Sequence, residues 1–328
     1  MSTVFLTGAS GFLGGHLLRE LLAAGHEVRA LSRSVATDAE IVAAGGRPVH
    51  GDLADAAMLV RGMAGCDVIF HAAADTSMWR QHATRQTATN VTGTENLLRA
   101  AEQAGVAAFA HTSSVSAYSH LARGTISEAT PQRGGESWVN YERSKYLAEQ
   151  AVRSSATPWI VFNPSHILGP GDRHNWSRLI RLVDAQQLPG IPPGIGAFAD
   201  VREIARAQVR AWEHGRFGET YLLGGEQASF VDFVHRVGTA LGRRTPRGAT
   251  PAWALMAYAR MLDGISRLTG REPQVTPEGA ALTSHHLQVD SSKARRELDY
   301  VETPLDTLLA DTLVWMRNEG MLTARQPA

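Results

Sequence analysis

Three glycines constrain this chain more than any other feature. The stretch FLTGASGFLG ends an apolar run at Thr7 and then sets Gly8, Gly11 and Gly14 at three-residue spacing, opening a helical pattern that begins at Phe12. Glycine permits a tight turn and lets a backbone approach a bound group closely. A helix that opens on such a turn presents free N–H groups and the positive end of its dipole to an anion. Between a first strand and a first helix, the pattern is that of a dinucleotide-binding turn, with Ser10, Phe12 and Leu13 lying along the phosphates beside the glycines.

The rest of the first half supports that placement. Apolar strand-like runs (TVFLT, EVRALS, RPVHG, DVIFHAA, AAFAHTSS, PWIVFNPS) alternate with helical stretches at 12–24, 37–44, 55–64, 79–103 and 140–155. Alternation of this kind implies parallel strands joined by right-handed crossovers and covered on both faces. The expected fold class is α/β, a Rossmann-like doubly wound parallel sheet of six strands. Beyond residue 165 the rhythm breaks into Gly- and Pro-rich loops, followed by helices near 201–214, 229–242, 251–268, 291–298 and 304–318. The division drawn is residues 1–165 as the cofactor-binding unit and 166–328 as a smaller, mostly helical substrate lobe, with some segments returning to the Rossmann core.

Each strand end then carries a specific expectation. An Asp or Glu at the end of the second strand would accept from a ribose 2′-OH. Here that position reads Ser32 and then Arg33. A guanidinium meets a 2′-phosphate bidentately, so NADP(H) is expected rather than NAD(H). Asp52 and Leu53 end the third strand, and Asp52 is placed to accept from the adenine amino group. Ala72, Ala73 and Ala74 end the fourth, where small side chains leave room for the cofactor. In YERSK, Tyr141 and Lys145 stand four apart on a helix and share a face. A tyrosine with an ordinary pKa near 10 is a poor acid at neutral pH, and an adjacent ammonium is expected to lower it. The fifth strand ends HTSSVSAY, and Ser114 is preferred over Ser113 as the hydroxyl that orients a substrate oxygen.

On TGASGFLG, GDL, HAAA, NVTGTENLL, TSS, YERSK and NPSHILGPGD the chain resembles the extended short-chain dehydrogenase/reductase family along nearly its whole length. It looks most like the dihydroflavonol-4-reductase-like branch, which includes hopanoid-associated sugar epimerase-like proteins and neighbours the 3β-hydroxysteroid dehydrogenases. The resemblance implies that Tyr141 is the proton donor or acceptor, Lys145 its activator and ribose ligand, and Ser114 the ligand of the carbonyl oxygen. It also implies that Asn90 helps hold the active-site architecture, and that Pro164 and the residues after it, Ile167 among them, line the nicotinamide. The chain departs from the family at ADVRE (Ala199–Glu203) and at Gln208, where a histidine is common. The SSVS stretch lacks the acidic pair of the sugar dehydratases, which argues against dehydration.

The expected function is an NADPH-dependent reductase of a ketone or aldehyde on an apolar or aromatic small molecule, also able to run as an alcohol dehydrogenase. The alternatives are a nucleotide-sugar epimerase that retains NAD, a 3β-hydroxysteroid dehydrogenase-like enzyme, or a non-catalytic nucleotide sensor on the same fold. Retention of Ser114, Tyr141 and Lys145 speaks against the sensor. Thr76, Trp79, Ser116, Tyr118, His166 and Trp176 are the candidate substrate wall. His71, His111 and the His285–His286 pair lack metal-ligand spacing, so no metal is expected. Lys+Arg and Asp+Glu are 32 each, so bulk charge points to no nucleic-acid partner. Cys66 is alone, no leader or membrane-spanning stretch stands out, and a cytoplasmic protein, with homodimerisation through the tyrosine helix, is expected. Pro251–Ile265 reads as an amphipathic helix. It has three available roles, as cover for the pocket, membrane contact or core element, and core packing is preferred because apolar helical faces normally serve cores.

Overall fold

The structure, a computed structural model, describes residues 1–323. Its strands are β1 (Thr3–Thr7), β2 (Glu27–Ser32), β3 (Arg47–His50), β4 (Val68–His71), β5 (Ala108–Thr112), β6 (Thr125–Ile126), β7 (Trp159–Pro164), β8 (His166–Leu168), β9 (Ile195–Asp200), β10 (Glu219–Leu223), β11 (Glu226–Ser229) and β12 (Gln288–Val289). The helices are α1 (Phe12–Ala23), α2 (Val35–Ala43), α3 (Ala56–Met63), α4 (Ala83–Thr87), α5 (Gly93–Ala104), α6 (Asn140–Arg153), α7 (Trp176–Asp184), α8 (Val201–Glu213), α9 (Phe230–Leu241), α10 (Ala252–Thr269), α11 (Pro277–Thr283), α12 (Ser292–Leu298) and α13 (Leu305–Asn318).

Seven strands form one parallel sheet in the order β10-β7-β5-β4-β1-β2-β3. Strand order reverses between β1 and β4, and in such a sheet the crevice beyond the strand ends at this reversal is the ligand site. The central strands are apolar on both faces, as burial on both sides requires. Val4, Leu6, Phe70 and Phe162 pack under α1, α8 and α12 on one side. Phe5, Ile69, Phe109 and Val161 pack under α3, α5 and α6 on the other.

The doubly wound fold is as expected, with a seventh strand. β10 comes from the second half of the chain and pairs with β7 at the sheet edge. Two small sheets, β11-β9-β8 and β12-β6, are additional to the expected elements, and β9 forms where a loop is expected. Their strands are short, and β9 lies in a Gly- and Pro-rich stretch whose Gly196 has a reason to be glycine. A Cβ there would sit 2.1 Å from the His166 ring. The helix expected within 79–103 is present as an unbroken run of a 3₁₀ turn, α4, a π turn (Ala88–Thr92) and α5. The wide turn sets Asn90 inward, where it is buried. Helices α7 and α11 were missed as well.

Helix α10 corrects the preference for core packing. Only Leu255 and Ala259 join a small buried cluster with Ala280 of α11, while Trp253, Met261, Ile265 and Leu268 stand exposed. Among the described residues, no helix is long and apolar enough to cross a membrane.

At the first turn two glycines are steric requirements. Gly8 has φ +81°, and a Cβ on it would meet Ala73 N at 2.7 Å. A Cβ on Gly14 would lie 1.9 Å from the Gly8 carbonyl oxygen, so α1 crosses β1 closer than any other residue allows. A Cβ on Gly11 would meet only that oxygen, at 3.1 Å. Gly14→Ala is therefore expected to cost about 3 kcal/mol or more by overpacking, and Gly11→Ala less than about 1 kcal/mol. Urea denaturation of the two variants checks the difference, and equal losses would contradict it.

Candidate active site

The strand ends converge on one crevice, and the first turn forms its floor. Gly11 N–H donates to the Gly8 carbonyl at 2.8 Å and closes the turn. Helix α1 then begins with no side-chain cap and no carboxylate in its first turn. Its leading N–H groups are thus left for an anion. Ser10 and Gly11 are exposed, Phe12 is half-buried, and the Leu13 side chain is packed in the core. Beside the turn, Ala73 N–H donates to Thr7 Oγ1 at 3.2 Å. Thr94 Oγ1 donates to the Asn90 carbonyl at 2.7 Å, so it accepts from His71 Nε2 at 2.9 Å. That leaves His71 Nδ1 to accept from the Thr7 hydroxyl at 2.7 Å. Burial and the nearby Lys145 ammonium pull the His71 pKa down to about 3, so the ring is a neutral strut that fixes the ends of β1 and β4.

The nucleotide end is open. Ser32 spends its hydroxyl on a local turn with Ser34, and Arg33 is exposed, with no ion pair among the described residues. Asp52 is exposed and uses one carboxylate oxygen on the Ala54 N–H at 3.0 Å. Leu53 packs against Gly93, and its carbonyl accepts from Asn96 at 2.8 Å. Ala72, Ala73 and Ala74 are half-buried beside the glycine turn. Pro164 is buried at the end of β7, and Ile167 is half-buried in β8. The loop after β8 reaches α1, where His16 Nε2 bonds the Pro170 carbonyl at 2.8 Å. The residues present fit a dinucleotide: an uncapped helix start, a glycine turn packed directly on the Ala72–Ala73 backbone, and a guanidinium beyond β2 that makes no ion pair among the described residues.

The structure brings Ser114, Tyr141 and Lys145 together. Ser114 caps the turn Val115–Ala117 and accepts from the Ser116 N–H at 3.1 Å. Its hydroxyl adjoins the Tyr141 phenol and favours the ionised form of that group. Lys145, one turn along α6, is buried and donates to the Thr112 carbonyl at 3.0 Å. Burial pulls its pKa down to about 8, and Glu149 opposes that. The expected lowering of Tyr141 by the ammonium does not appear. Burial raises the phenol, and the Ser114 hydroxyl only partly offsets this. With Nζ turned onto a backbone carbonyl, the ammonium is not the group that governs the phenol here.

Two buried carboxylates on α6 escaped the sequence reading. Glu149 accepts from Ser113 Oγ at 2.6 Å, Gln132 at 2.6 Å, Asn163 at 2.8 Å and Arg153 at 2.7 Å, tying β5, β7 and α6 together. Glu142 accepts from Ser137 at 2.5 Å and from Ser119 and the His120 N–H at 2.6 Å each, and so holds the loop after the serine turn. The signal for Glu149 was present, because Tyr141, Lys145 and Glu149 repeat at four-residue spacing. Asn90 accepts from the Asp75 N–H at 2.7 Å and donates to Ser144 at 3.0 Å, so it braces the loop after β4 against α6.

The substrate side differs from the expected wall. Trp79 lies with Tyr141 on a small cleft that is also lined by Arg80, Trp138 and Glu278, among others, none of them expected from the sequence. Arg80 pairs with Glu278 at 3.0 Å, and its guanidinium lies 5.8 Å from the Trp138 ring centroid. Trp79 is buried, and its indole N–H has no partner. Thr76 is exposed and Ser116 half-buried. Tyr118 is in a core cluster with Val115, Ile126 and Leu222. His166 and Trp176 are packed with Phe198 and Phe230 in the lobe, where burial holds His166 down to about 4. Tyr118 is thus buried among aliphatic side chains, while His166 and Trp176 are half-buried in an aromatic cluster of the lobe.

The chain belongs to the NAD dependent epimerase/dehydratase family, whose profile matches residues 4–224. A protein of Synechocystis sp. that carries a provisional dihydroflavonol 4-reductase name is 31% identical over 327 residues, spanning 96% of this chain and 95% of the relative. The 4-hydroxy-2-methyl-3-oxo-4-farnesyl-3,4-dihydroquinoline-1-oxide ketoreductase of Stigmatella aurantiaca is 31% identical over 307 residues, spanning 90% of this chain and 91% of the relative. Among solved structures, gox2253 superposes with a TM-score of 0.83 at 30% identity, covering 98% of this chain and 100% of that one.

Because Glu149 raises the Lys145 pKa, Glu149→Gln is expected to lower it further. The basic limb of kcat/KM, where the ammonium loses its proton, then moves to lower pH. A pH–rate profile of the variant checks the direction, with a thermal melt to confirm that it is folded. An unmoved limb would show that Glu149 only braces the strands.

Proposed function

We propose that this chain is an NADP(H)-dependent carbonyl reductase acting on an apolar or aromatic ketone or aldehyde. The observation that carries the reading is the meeting of Ser114 and Tyr141 beyond β5, one helical turn from the buried Lys145, with Tyr141 on a small cleft shared with Trp79 and Trp138. The turn Gly8–Gly14 with Ser10 would hold the pyrophosphate, Arg33 the 2′-phosphate and Asp52 the adenine. Ala72–Ala74, Pro164 and Ile167 would border the nicotinamide, and Lys145 would meet its ribose. Bound there, the cofactor supplies the hydride. Ser114 donates a hydrogen bond to the carbonyl oxygen and stabilises the charge that develops on it. Tyr141 gives its proton to that oxygen. A phenol raised by burial remains protonated at neutral pH, which suits it to the reductive direction. The ketoreductase of Stigmatella aurantiaca supports a ketone as substrate by likeness. Residues 1–165, together with β10, α8 and α12, serve as the cofactor unit, and the remainder as the substrate lobe.

The test is consumption of reduced cofactor with a panel of steroid, aromatic and β-keto compounds. Tyr141→Phe is expected to lower kcat by about 10³-fold with the fold intact. Arg33→Ala is expected to raise the KM for NADPH about tenfold or more and leave that for NADH nearly unchanged. Absence of turnover with every carbonyl, together with NAD released from the denatured protein, would move the assignment to a nucleotide-sugar epimerase.

A further inference from the structure

Helix α10 has two apolar faces and only one of them is covered. Leu255, Ala259 and Ser266 face inward. At about 100° per residue, Trp253, Ala257, Met261, Gly264, Ile265, Leu268 and Tyr258 sweep a continuous outer arc of about 140°. Five of the thirteen large apolar side chains exposed among the described residues lie on this one helix, and Leu268 and Trp253 are 90% and 76% exposed. A continuous stripe of this size is not the scattered apolar exposure of an ordinary surface.

Charge identifies what covers it. The whole chain is balanced, yet Gly242–Pro273 carries six arginines against two carboxylates. Arg243 is paired to Asp184, and Arg267 to Asp263. Arg244, Arg247, Arg260 and Arg271 are exposed and make no ion pair among the described residues. Arg260 and Arg267 follow one edge of the apolar arc, while Arg244 and Arg247 precede the helix and Arg271 follows it. A second copy of the chain docked through this face would set like charge against like charge. An anionic lipid surface complements both features, accepting the apolar arc among its acyl chains and the guanidiniums at its headgroups.

We propose that the outer face of α10 docks this protein on a bilayer bearing anionic headgroups. The docking stands on the helix alone. Its use rests on the reductase reading: α10 packs on α11, α11 carries Glu278, and Glu278 pairs with Arg80 in the wall of the cleft. An apolar carbonyl compound dissolved in the bilayer is then presented beside the mouth of the site.

The experiment is flotation of the full chain with vesicles of phosphatidylcholine alone and of phosphatidylcholine containing phosphatidylglycerol, without cofactor or substrate. The native protein is expected to float with the anionic vesicles, to bind neutral ones about tenfold more weakly, and to be released by high salt. The double variant Trp253→Glu with Leu268→Glu is expected to lose about tenfold or more in partitioning. It should keep its melting temperature and its rate on a water-soluble ketone, since both side chains are solvent-exposed. Native protein that floats with neither vesicle overturns the proposal, as does a double variant that partitions like the native chain. A concentration-dependent dimer that the same double variant abolishes, with no vesicle binding, overturns it in favour of a second copy. Failure of the reductase reading registers separately, as absent turnover in the vesicle-free assay.

Discussion

The crevice depends on one contact, the Gly8 carbonyl seated where a side chain on residue 14 would be. It lets α1 cross β1 at backbone distance and aims the uncapped start of that helix at the point where strand order reverses. Everything else at the nucleotide end is arranged around this turn. Thr7 continues from β1 to hold Ala73 and His71, so the ends of β1 and β4 are fixed relative to each other by two hydrogen bonds on one hydroxyl. A neutral His71 suits that role, since a charged ring between Thr7 and Thr94 would have to be buried unpaired beside Lys145.

Helix α6 carries the other half of the site. Its inward face repeats every four residues through Tyr141, Lys145 and Glu149, and Glu142 adds a second buried acid one residue from the tyrosine. Such carboxylates are tolerated because each is saturated with donors, and the donors come from separate elements. The outcome is positional. Ser113, held by Glu149, and Ser119, held by Glu142, bracket the turn that carries Ser114. The serine is thus presented to Tyr141 by a loop anchored at both ends to the tyrosine's own helix.

How much of this the sequence discloses follows from the range of each interaction. The glycine turn, the alternation of strands and helices and the Tyr141–Lys145 pair are local patterns, and they are legible. Asn90 is legible only through family resemblance, because the π turn that points it inward has no simple periodicity. β10 and β9 are not legible, since their partners lie elsewhere in the chain and β9 hides in a Gly- and Pro-rich stretch. The cleft wall is the least legible part. Trp138, Arg80 and Glu278 come from three distant segments, whereas His166 and Trp176, chosen for aromaticity, pack with Phe198 and Phe230, and Tyr118 with aliphatic side chains. Aromatic side chains satisfy a core as readily as a pocket, so composition alone does not separate the two.

Burial acts in the same sense on both groups of the Tyr141–Lys145 pair: it favours the neutral lysine and the neutral phenol. The site counters this unevenly. Glu149 supports the ammonium with a full charge, while Ser114 offers the phenol only a hydroxyl dipole. The protein has therefore invested in keeping the lysine charged and has left the tyrosine as an acid. A pair biased in this way holds its proton until an oxygen gains negative charge beside it. The Ser114 hydroxyl, beside Tyr141, is the second group placed to meet that charge in the proposed reduction. In the opposite direction the tyrosine must be deprotonated before it can take a proton from an alcohol. The same burial makes that phenolate costly, so under the proposed mechanism the oxidative direction requires higher pH than the reductive one.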